Sequence, residues 1–147
     1  MARKSLGLNP PFRQIESNDG KKEFWNRLTP KNRVDLSFLV EMNKGNRYVI
    51  VYEMVGKILG FLAFIDRGDH LYLDLVERNE MIKGSRGAGF RLIVLLEIIA
   101  ERLGYKRITL SSTQDNIAYY ERLGYQVIGT PFDNPDYGKL TPMEKRF

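Results

Sequence analysis

The middle of the chain is rich in β-branched and aromatic residues, which favour extended structure. Three strands are predicted there, over Arg47 to Met54, Lys57 to Ile65 and Leu71 to Arg78. Only Val55-Gly56 separates the first two strands, so a hairpin is expected. Alternation along the third strand assigns Leu71, Leu73, Leu75 and Glu77 to one face and Tyr72, Asp74 and Val76 to the other.

Helical signals lie on both sides of these strands. A short strand from Phe12 to Glu16 precedes a predicted helix over Lys21 to Leu28. Thr29-Pro30 then predicts the start of a second helix, which runs to about Met42. Its inward residues are expected to be Val34, Phe38 and Leu39. Further along, Phe90 to Leu103 is apolar on most of its circumference and is predicted to be a helix largely buried against a sheet.

The sequence Glu-Arg-Leu-Gly-Tyr occurs at 101–105 and again at 121–125. In each copy the glycine is placed to end a helix and the tyrosine to enter a strand. Strands are therefore predicted from Lys106 to Ser111 and from Tyr125 to Thr130, with a short helix between them. A last strand is expected over Lys139 to Phe147, interrupted or edged by Pro142.

Composition limits the class of protein. The 147 residues are 43% hydrophobic, which suffices for one core, so residues 1–147 are expected to form a single domain. There is no cysteine and one histidine, so neither a disulfide, a thiolate nucleophile nor a metal site is expected. No apolar run is long enough to cross a bilayer, and we expect a cytoplasmic protein without a membrane partner.

The net charge of +5 is concentrated at the N-terminus. Residues 1–47 hold ten Lys or Arg and five Asp or Glu, and the remainder sums to zero. The cations are scattered rather than clustered, so a solvated basic surface is favoured over a nucleic-acid site.

A glycine-rich turn, Gly84–Gly89, precedes the long apolar helix. No acid occurs between Lys83 and Leu96, although a helix start normally attracts Asp or Glu, and Arg86 and Arg91 add positive charge. A phosphate or pyrophosphate held by the backbone N–H groups of the turn would offset this charge. The alternative is an exposed basic turn whose glycines only let the chain bend.

In its order of elements, nearly the whole chain resembles the GCN5-related N-acetyltransferase (GNAT) family. The segment Gly84–Gly89 is similar to the family's Arg/Gln-x-x-Gly-x-Gly/Ala pyrophosphate loop, with Gly84 in place of the usual Arg or Gln. The segment Tyr120–Tyr125 is similar to the family's Tyr-Glu-Lys-Leu-Gly-Phe, although Thr113 stands where an Asn often precedes it. The resemblance implies an α/β (α+β) fold, with a mixed, mostly antiparallel sheet of about six to seven strands, about four helices and splayed central strands.

The resemblance also implies a function. Acetyl-CoA would donate an acyl group to a primary amine by direct attack in a ternary complex, without a metal. Coenzyme A would be held by Met81, Lys83, Gly84, Ser85, Arg86, Gly87, Ala88, Gly89 and Asn116. Met81 is the expected backbone partner of pantetheine.

Tyr120 and Glu77 are the expected catalytic residues. The resemblance selects Tyr120 over Tyr119 as the acid that protonates the leaving thiolate. Glu77 is the expected base for the attacking amine, with Asp74, Glu80 or water as alternatives.

The basic N-terminal third favours an acceptor with an acid group, or an acidic protein segment, over a polycation. The acceptor could be a small molecule or a protein amine, and a homodimer is left open. A non-catalytic acyl-CoA sensor is the second candidate function, and a nucleic-acid-binding protein is the third.

Overall fold

A computed structural model describes residues 3–26 and 33–147. In this part of the chain there are eight strands and three α-helices, against the six to seven strands and four helices expected. The strands are β1 Phe12–Gln14, β2 Arg47–Met54, β3 Lys57–Asp66, β4 Leu71–Arg78, β5 Arg107–Thr113, β6 Gln126–Val127, β7 Phe132–Asn134 and β8 Gly138–Arg146. The helices are α1 Leu36–Met42, α2 Ala88–Arg102 and α3 Ile117–Arg122, with 3₁₀ helices at Ser17–Lys21, Lys83–Ser85 and Gln114–Asn116.

The strands form one sheet in the order β1-β2-β3-β4-β5-β8-β6, and β7 also pairs with β8. All neighbours are antiparallel except β4 and β5. These two central strands pair only where Leu71 to Leu73 lie opposite Ile108 to Leu110, and they separate beyond that point. The expected mixed sheet with splayed central strands is therefore confirmed.

A bulge in β4 changes the predicted alternation of its side chains. Ala63 of β3 pairs with Leu75, and the next residue pairs with Leu73, so Asp74 is the additional residue. Leu73 is buried on the α2 side of the sheet, whereas Leu75 packs on the opposite side and Val76 packs on the α2 side. The prediction that Leu71, Leu73, Leu75 and Glu77 share one face is wrong because the bulge shifts the period after Leu73.

The C-terminal strands also differ from their predicted extents. The strand expected over Tyr125 to Thr130 is reduced to two residues, and β7 was not predicted. Pro142 does not interrupt β8, which pairs with β5 along most of its length. The Pro142 carbonyl accepts a hydrogen bond from the Ile128 N–H, 3.0 Å away. In an antiparallel strand the N and O of one residue point the same way, so the missing N–H of Pro142 faces away from β5 and disrupts no pairing there.

The sheet separates two apolar layers. On one face, α2 packs its buried residues against β2, β3 and β4; on the other, α1 and Phe24 cover Val49, Val51 and Phe61. At Gly60 of β3, a Cβ atom would lie 2.9 Å from the Glu77 carbonyl oxygen and 3.1 Å from the Ala88 Cβ. Only a glycine therefore permits β3, β4 and the start of α2 to pack this closely.

The apolar circumference of α2 is less buried than predicted. Leu92, Leu96 and Ala100 are fully buried, but Phe90, Val94 and Ile98 remain exposed at intervals of one helical turn. Within the described residues, no helix has the length and apolarity to span a bilayer.

The N-terminal helices differ most from the sequence prediction. After Lys21 the chain becomes extended at Lys22 and continues without helix to Asn26, so the helix expected over Lys21 to Leu28 is wrong within the described residues. The predicted Thr29-Pro30 start lies outside the described residues. Arg33 pairs with Trp25 in a β-bridge, and α1 begins only at Leu36.

An N-cap explains the late start of α1. The Asp35 carboxylate accepts the Ser37 N–H at 2.9 Å and satisfies one free donor of the first turn. Leu39 is buried and Val34 packs against the same layer as predicted, but Phe38 is 63% exposed and does not point inward.

Ion pairs hold much of the N-terminal charge against the sheet. Arg13 contacts Asp19 and Glu53 at 2.7 and 2.8 Å, and Lys22 contacts the same two carboxylates. Lys4 lies 2.8 Å from Asp66. Lys4, Arg13 and Lys22 are therefore compensated within the fold, whereas Lys21 and Lys44 form no ion pair among the described residues.

Candidate active site

The glycine turn leads into α2 through a left-handed residue. Gly87 is the N-cap of α2 with φ 84° and ψ −2°, a conformation that residues with a side chain rarely adopt. It supplies no side-chain cap, and the first turn of α2 contains no acid. The N–H groups of this turn have no acceptors within the helix, so they can bind an anion.

The space beside the turn is open. A Cβ atom added at Gly87 would meet nothing within 4 Å, and one at Gly89 would touch only the Val76 Cγ2, 3.8 Å away. Arg86 and Arg91 are exposed and form no ion pair within the described residues. Backbone donors, glycines and unpaired cations together fit a phosphate group.

A cleft of about 400 Å³, here called the glycine cleft, lies beside this turn. Its lining comes from the end of β4, the start of α2 and the segment around α3: Val76, Glu77, Arg78, Gly87, Gly89, Phe90, Ile93, Asn116, Tyr119 and Tyr120. The cleft borders the part of β4 that lies beyond the point where β5 separates from it and leaves a gap.

The end of β4 presents free backbone groups to this gap. The Asn79 N–H donates to the Leu59 carbonyl at 2.8 Å, which identifies a hydrogen-bonded pair. Such pairs alternate along an antiparallel ladder, so Glu77 bonds to β3 while the N–H and C=O of Val76 and Arg78 point the other way. No strand pairs with β4 on that side beyond Leu73. An amide-containing ligand could bind this edge as an additional strand would.

A second cavity of about 150 Å³, here called the β5 cavity, adjoins the glycine cleft. Its lining includes Tyr72 and Asp74 of β4, Ser111 of β5, and Asn134 and Tyr137 near β7. Four residues line both spaces: Val76, Glu77, Asn116 and Tyr120. A molecule in one space would thus meet a molecule in the other beside these four side chains.

Tyr120 is held rigidly at this junction. It is 8% exposed, and the rings of Tyr119 and Tyr125 pack edge-on against it with centroids 5.3 and 5.8 Å away. Among the described residues its hydroxyl has no hydrogen-bond partner. Burial, followed by the effect of Tyr119 and Glu77, raises the pKa of the Tyr120 phenol. The hydroxyl therefore stays protonated near neutral pH and can donate to a ligand.

Glu77 differs from the other carboxylates nearby. Burial, with a smaller effect of Glu80, raises the pKa of Glu77 to about 7. Among the described residues no cation pairs with it. Burial also raises the pKa of Asp74, opposed by Arg47 and Arg67. Glu77 is therefore the carboxylate at the junction that can gain and lose a proton near neutral pH.

The family follows from comparison with known proteins. A model of the acetyltransferase (GNAT) domain matches residues 16–147. The chain belongs to the GNAT acetyltransferase family. No protein with a curated description matches it significantly in sequence.

Solved structures agree with this fold. A putative streptothricin acetyltransferase from Bacillus anthracis, in complex with acetyl coenzyme A, superposes with a TM-score of 0.65 at 18% identity, covering 92% of this chain and 97% of that one. A GNAT acetyltransferase from Elizabethkingia anophelis with acetyl-CoA bound gives 0.65 at 10% identity, with the same coverage. An acyl-CoA N-acyltransferase from Pseudomonas aeruginosa gives 0.60 at 22% identity over 69% of this chain and 70% of that one.

Only some of the site residues predicted for this GNAT domain line the glycine cleft. Glu77, Gly87, Gly89, Asn116 and Tyr120 line the glycine cleft. The other predicted members of the turn do not line it: Lys83, Gly84, Ser85, Arg86 and Ala88. Of these, Ala88 is buried, and so is Ser85, whose Oγ has no hydrogen-bond partner.

Met81 lies away from the position predicted for it. It follows the end of β4, is 55% exposed and does not line the cleft, and its N–H already donates to the Asn79 Oδ1 at 3.1 Å. Glu80, an alternative base, lies outside both cavities and 3.6 Å from Arg78. The free edge of β4 instead offers Val76 and Arg78, which sequence reasoning missed because the hydrogen-bond alternation depends on the register with β3.

Proposed function

We propose that this GNAT protein transfers an acetyl group from acetyl-CoA to a primary amine by direct attack in a ternary complex. The observation that supports this most is the junction at which Glu77 and Tyr120 line both the glycine cleft and the β5 cavity. Two substrates that enter from opposite sides would meet there without a covalent enzyme intermediate.

The glycine turn would hold the acyl donor. The N–H groups at the start of α2, with Gly87 and Gly89 leaving space, suit the pyrophosphate of coenzyme A. The backbone groups of Val76 and Arg78 suit the amides of its pantetheine arm. Bound in this way, the donor's thioester would lie towards the junction.

Glu77 and Tyr120 would move the two protons of the reaction. An alkylamine has a pKa near ~10 and is protonated at neutral pH, so it must lose a proton before attack. Glu77, with a pKa of about 7, accepts that proton directly or through water. As the amine nitrogen bonds to the carbonyl carbon and the carbon–sulfur bond breaks, Tyr120 donates its phenolic proton to the departing sulfur. The Tyr120 phenolate then takes the second proton of the amine nitrogen, directly or through water, which leaves the neutral amide, and Glu77 releases its proton to solvent.

The test combines binding with turnover. Acetyl-CoA at about 100 times its dissociation constant should add ~2.7 kcal/mol and raise the unfolding temperature by about 5 to 10 °C. ATP serves as the control for unspecific anion binding. Turnover is then measured with a panel of primary amines, as release of the free thiol of coenzyme A from acetyl-CoA. Binding without turnover over the whole panel would indicate an acyl-CoA sensor, and no binding would contradict the donor site.

A further inference from the structure

The β5 cavity is lined by acidic groups. Asp74 and Glu77 both line it, whereas its described lining includes no Lys or Arg. Burial raises the pKa of both carboxylates, so their ionised forms are disfavoured unless a cation lies beside them. A positively charged ligand would supply such a cation.

The bulge places the two carboxylates at different depths along β4. Asp74 and Glu77 are three residues apart, and because Asp74 is the additional residue of the bulge, they are separated along β4 by somewhat less than the roughly 10 Å of three regular strand residues. A molecule with one amine near Glu77 would therefore reach Asp74 with a second group several ångströms away. This spacing suits a linear chain better than a compact monoamine.

Asp74 is only weakly engaged by the protein itself. Arg47 lies 3.5 Å from its carboxylate, which is long for a charge-assisted hydrogen bond, and the Arg47 side chain is half exposed. Arg67 also opposes the rise in the pKa of Asp74 and lies over the Tyr72 ring, but neither arginine lines the cavity. Asp74 therefore retains acceptor capacity for a cation inside it.

Aromatic rings border the space between the two carboxylates. The Tyr72 hydroxyl donates to Ser111 Oγ at 3.2 Å, which fixes its ring between β4 and β5. Burial, followed by the charges of Glu77, Asp74 and Asp136, raises the pKa of Tyr137, so Tyr137 lies within the field of both carboxylates. Arg67 already lies over the Tyr72 ring, 5.3 Å from its centroid, so Tyr137 is the ring that offers a face to an ammonium group or a methylene chain.

The junction residue Tyr120 independently indicates a ligand site here. It is more than nine-tenths buried, it lines the cavity, and its hydroxyl has no partner among the described residues. The ring is buried but the hydroxyl is not fully enclosed, so a ligand in the cavity can reach it and accept a hydrogen bond from it. The acidic pair therefore belongs to a cavity built around an unsatisfied donor and is not an isolated surface cluster.

We infer that the preferred acceptor is a linear diamine or polyamine. This inference rests on the proposed function: one amine reacts beside Glu77 and Tyr120 while a second, protonated amine is bound by Asp74. The conclusion differs from the acidic acceptor expected from the N-terminal charge, because Lys4, Arg13 and Lys22 are paired within the fold.

The first test compares three acceptors with the same five-carbon chain: cadaverine, pentylamine and aminovalerate. With saturating acetyl-CoA, cadaverine should give a kcat/KM at least about tenfold above pentylamine, and aminovalerate should be the poorest. Equal values for cadaverine and pentylamine, or a preference for aminovalerate, would overturn the inference.

Asp74→Asn tests the residue directly. It should lower the ratio of kcat/KM for cadaverine to kcat/KM for pentylamine by about tenfold, mainly through a higher KM for cadaverine. Asp133→Asn is the matched control, because Asp133 is exposed on β7 and lines neither cavity. Equal effects of Asp74→Asn on both amines would argue for a structural role and against the second ammonium site.

A binding measurement separates failure of this inference from failure of the proposed function. If none of the amines is acetylated, titration calorimetry with coenzyme A present still compares cadaverine with pentylamine. Tighter binding of cadaverine that Asp74→Asn abolishes would support the diamine site while contradicting acetyl transfer. Equal binding of the two amines would refute the diamine site whether or not transfer occurs.

Discussion

Glu77 and Tyr120 meet at the boundary between two cavities. Glu77 comes from the free end of β4 and Tyr120 from the short helix α3, and the carboxylate contributes to the raised pKa of the phenol. Their proximity couples a group that accepts a proton near neutral pH with one that retains its proton. The predictions below test this pair, the donor site and the packing that supports them.

Tyr120→Phe should lower kcat by roughly 10²- to 10⁴-fold, because it removes the proton donor to the departing sulfur. The affinity for acetyl-CoA should change little, since the ring and its contacts with Tyr119 and Tyr125 remain. Steady-state kinetics and titration of acetyl-CoA measure both effects. Tyr52→Phe is a matched control in β2, where the tyrosine is also buried but lies away from the cavities. An unchanged kcat in Tyr120→Phe would exclude Tyr120 as the acid.

The rate should depend on pH through Glu77. Because the proposed base must be ionised, kcat/KM should rise with pH and level off above a pKa of about 7. Glu77→Gln should lower the rate by about 10²-fold and remove this limb of the profile. If kcat/KM of Glu77→Gln still rises with pH in the same way, the rise reports another group, such as the amine itself.

Glu77→Gln, which should slow the reaction, should at the same time increase the free energy of unfolding at alkaline pH. The folded-state pKa of Glu77 lies above the ordinary glutamate value of 4.5, so folding favours the protonated form. Its contribution is therefore fully present below about pH 4.5 and is lost as the pH rises through about 7. Glu77→Gln should be more stable than the wild type at pH 8 by about 1 kcal/mol, after allowance for solvent screening, and equally stable at pH 4. Urea denaturation at both pH values measures this difference.

Gly87→Ala should abolish or strongly weaken acetyl-CoA binding, because a Cβ atom would enter the space proposed for the pyrophosphate. It should also cost about 1 kcal/mol of stability, since alanine is strained at a positive φ. Gly45→Ala separates these effects: Gly45 has φ 64° and similarly open surroundings but lies outside both cavities. Only the Gly87 variant should lose the thermal shift caused by acetyl-CoA. Equal shifts in both variants would contradict the phosphate site.

Gly60→Ala should destabilise the protein by about 1 to 3 kcal/mol through overpacking. Its Cβ would press on the Glu77 carbonyl and on Ala88 and Leu92, so β4 and α2 would have to move apart. The affinity for acetyl-CoA should fall as well, although Gly60 lies outside the glycine cleft. Gly84→Ala is the control for stability, because a Cβ atom there meets nothing within 4 Å. Equal stability of the two variants would show that the sheet adjusts without cost.

Asp19→Asn should cost about 3 kcal/mol at pH 7, because Asp19 is almost fully buried and its loss leaves Arg13 partly uncompensated. Burial alone would raise the pKa of Asp19, but hydrogen bonds from Arg13, the Glu16 N–H and Lys22 lower it to about 2. The stabilisation is therefore present above about pH 4 and is lost as the pH falls towards 2. The difference from the wild type should accordingly shrink in urea denaturation near pH 2. Arg146→Gln, at an exposed ion pair, should change stability by less than about 1 kcal/mol.

Several elements could be predicted because their signals are local. The strands β2, β3 and β4 begin and end within one residue of the bounds predicted from the sequence. Gly104 and Gly124 adopt φ 79° and 97°, as expected where Glu-Arg-Leu-Gly-Tyr ends each helix. The glycine turn and the absence of acids after it likewise located the start of α2. These features depend on the conformations available to a few neighbouring residues.

The N-terminal region could not be predicted in the same way. Local start signals favoured a helix over Lys21 to Leu28 and a second one from Thr29-Pro30. The contacts of Arg13 and Lys22 with Asp19 and Glu53 instead hold the segment after Lys21 against β1 and β2. Glu53 is more than thirty residues away in sequence. Local propensity is weak compared with such buried, charge-assisted contacts.

The sequence by itself determined the main strands, and it made the glycine turn a candidate phosphate site, Tyr120, through resemblance, a candidate acid and Glu77 a candidate base. Only the tertiary structure decided that β5 leaves β4 after three paired residues, that Val76 and Arg78 present the free edge, and that the bulge at Asp74 gives the β5 cavity its second carboxylate. The physical reason is that glycine conformations and strand propensities are local properties of the chain. Register, strand separation and the meeting of two side chains depend on residues that are distant in sequence.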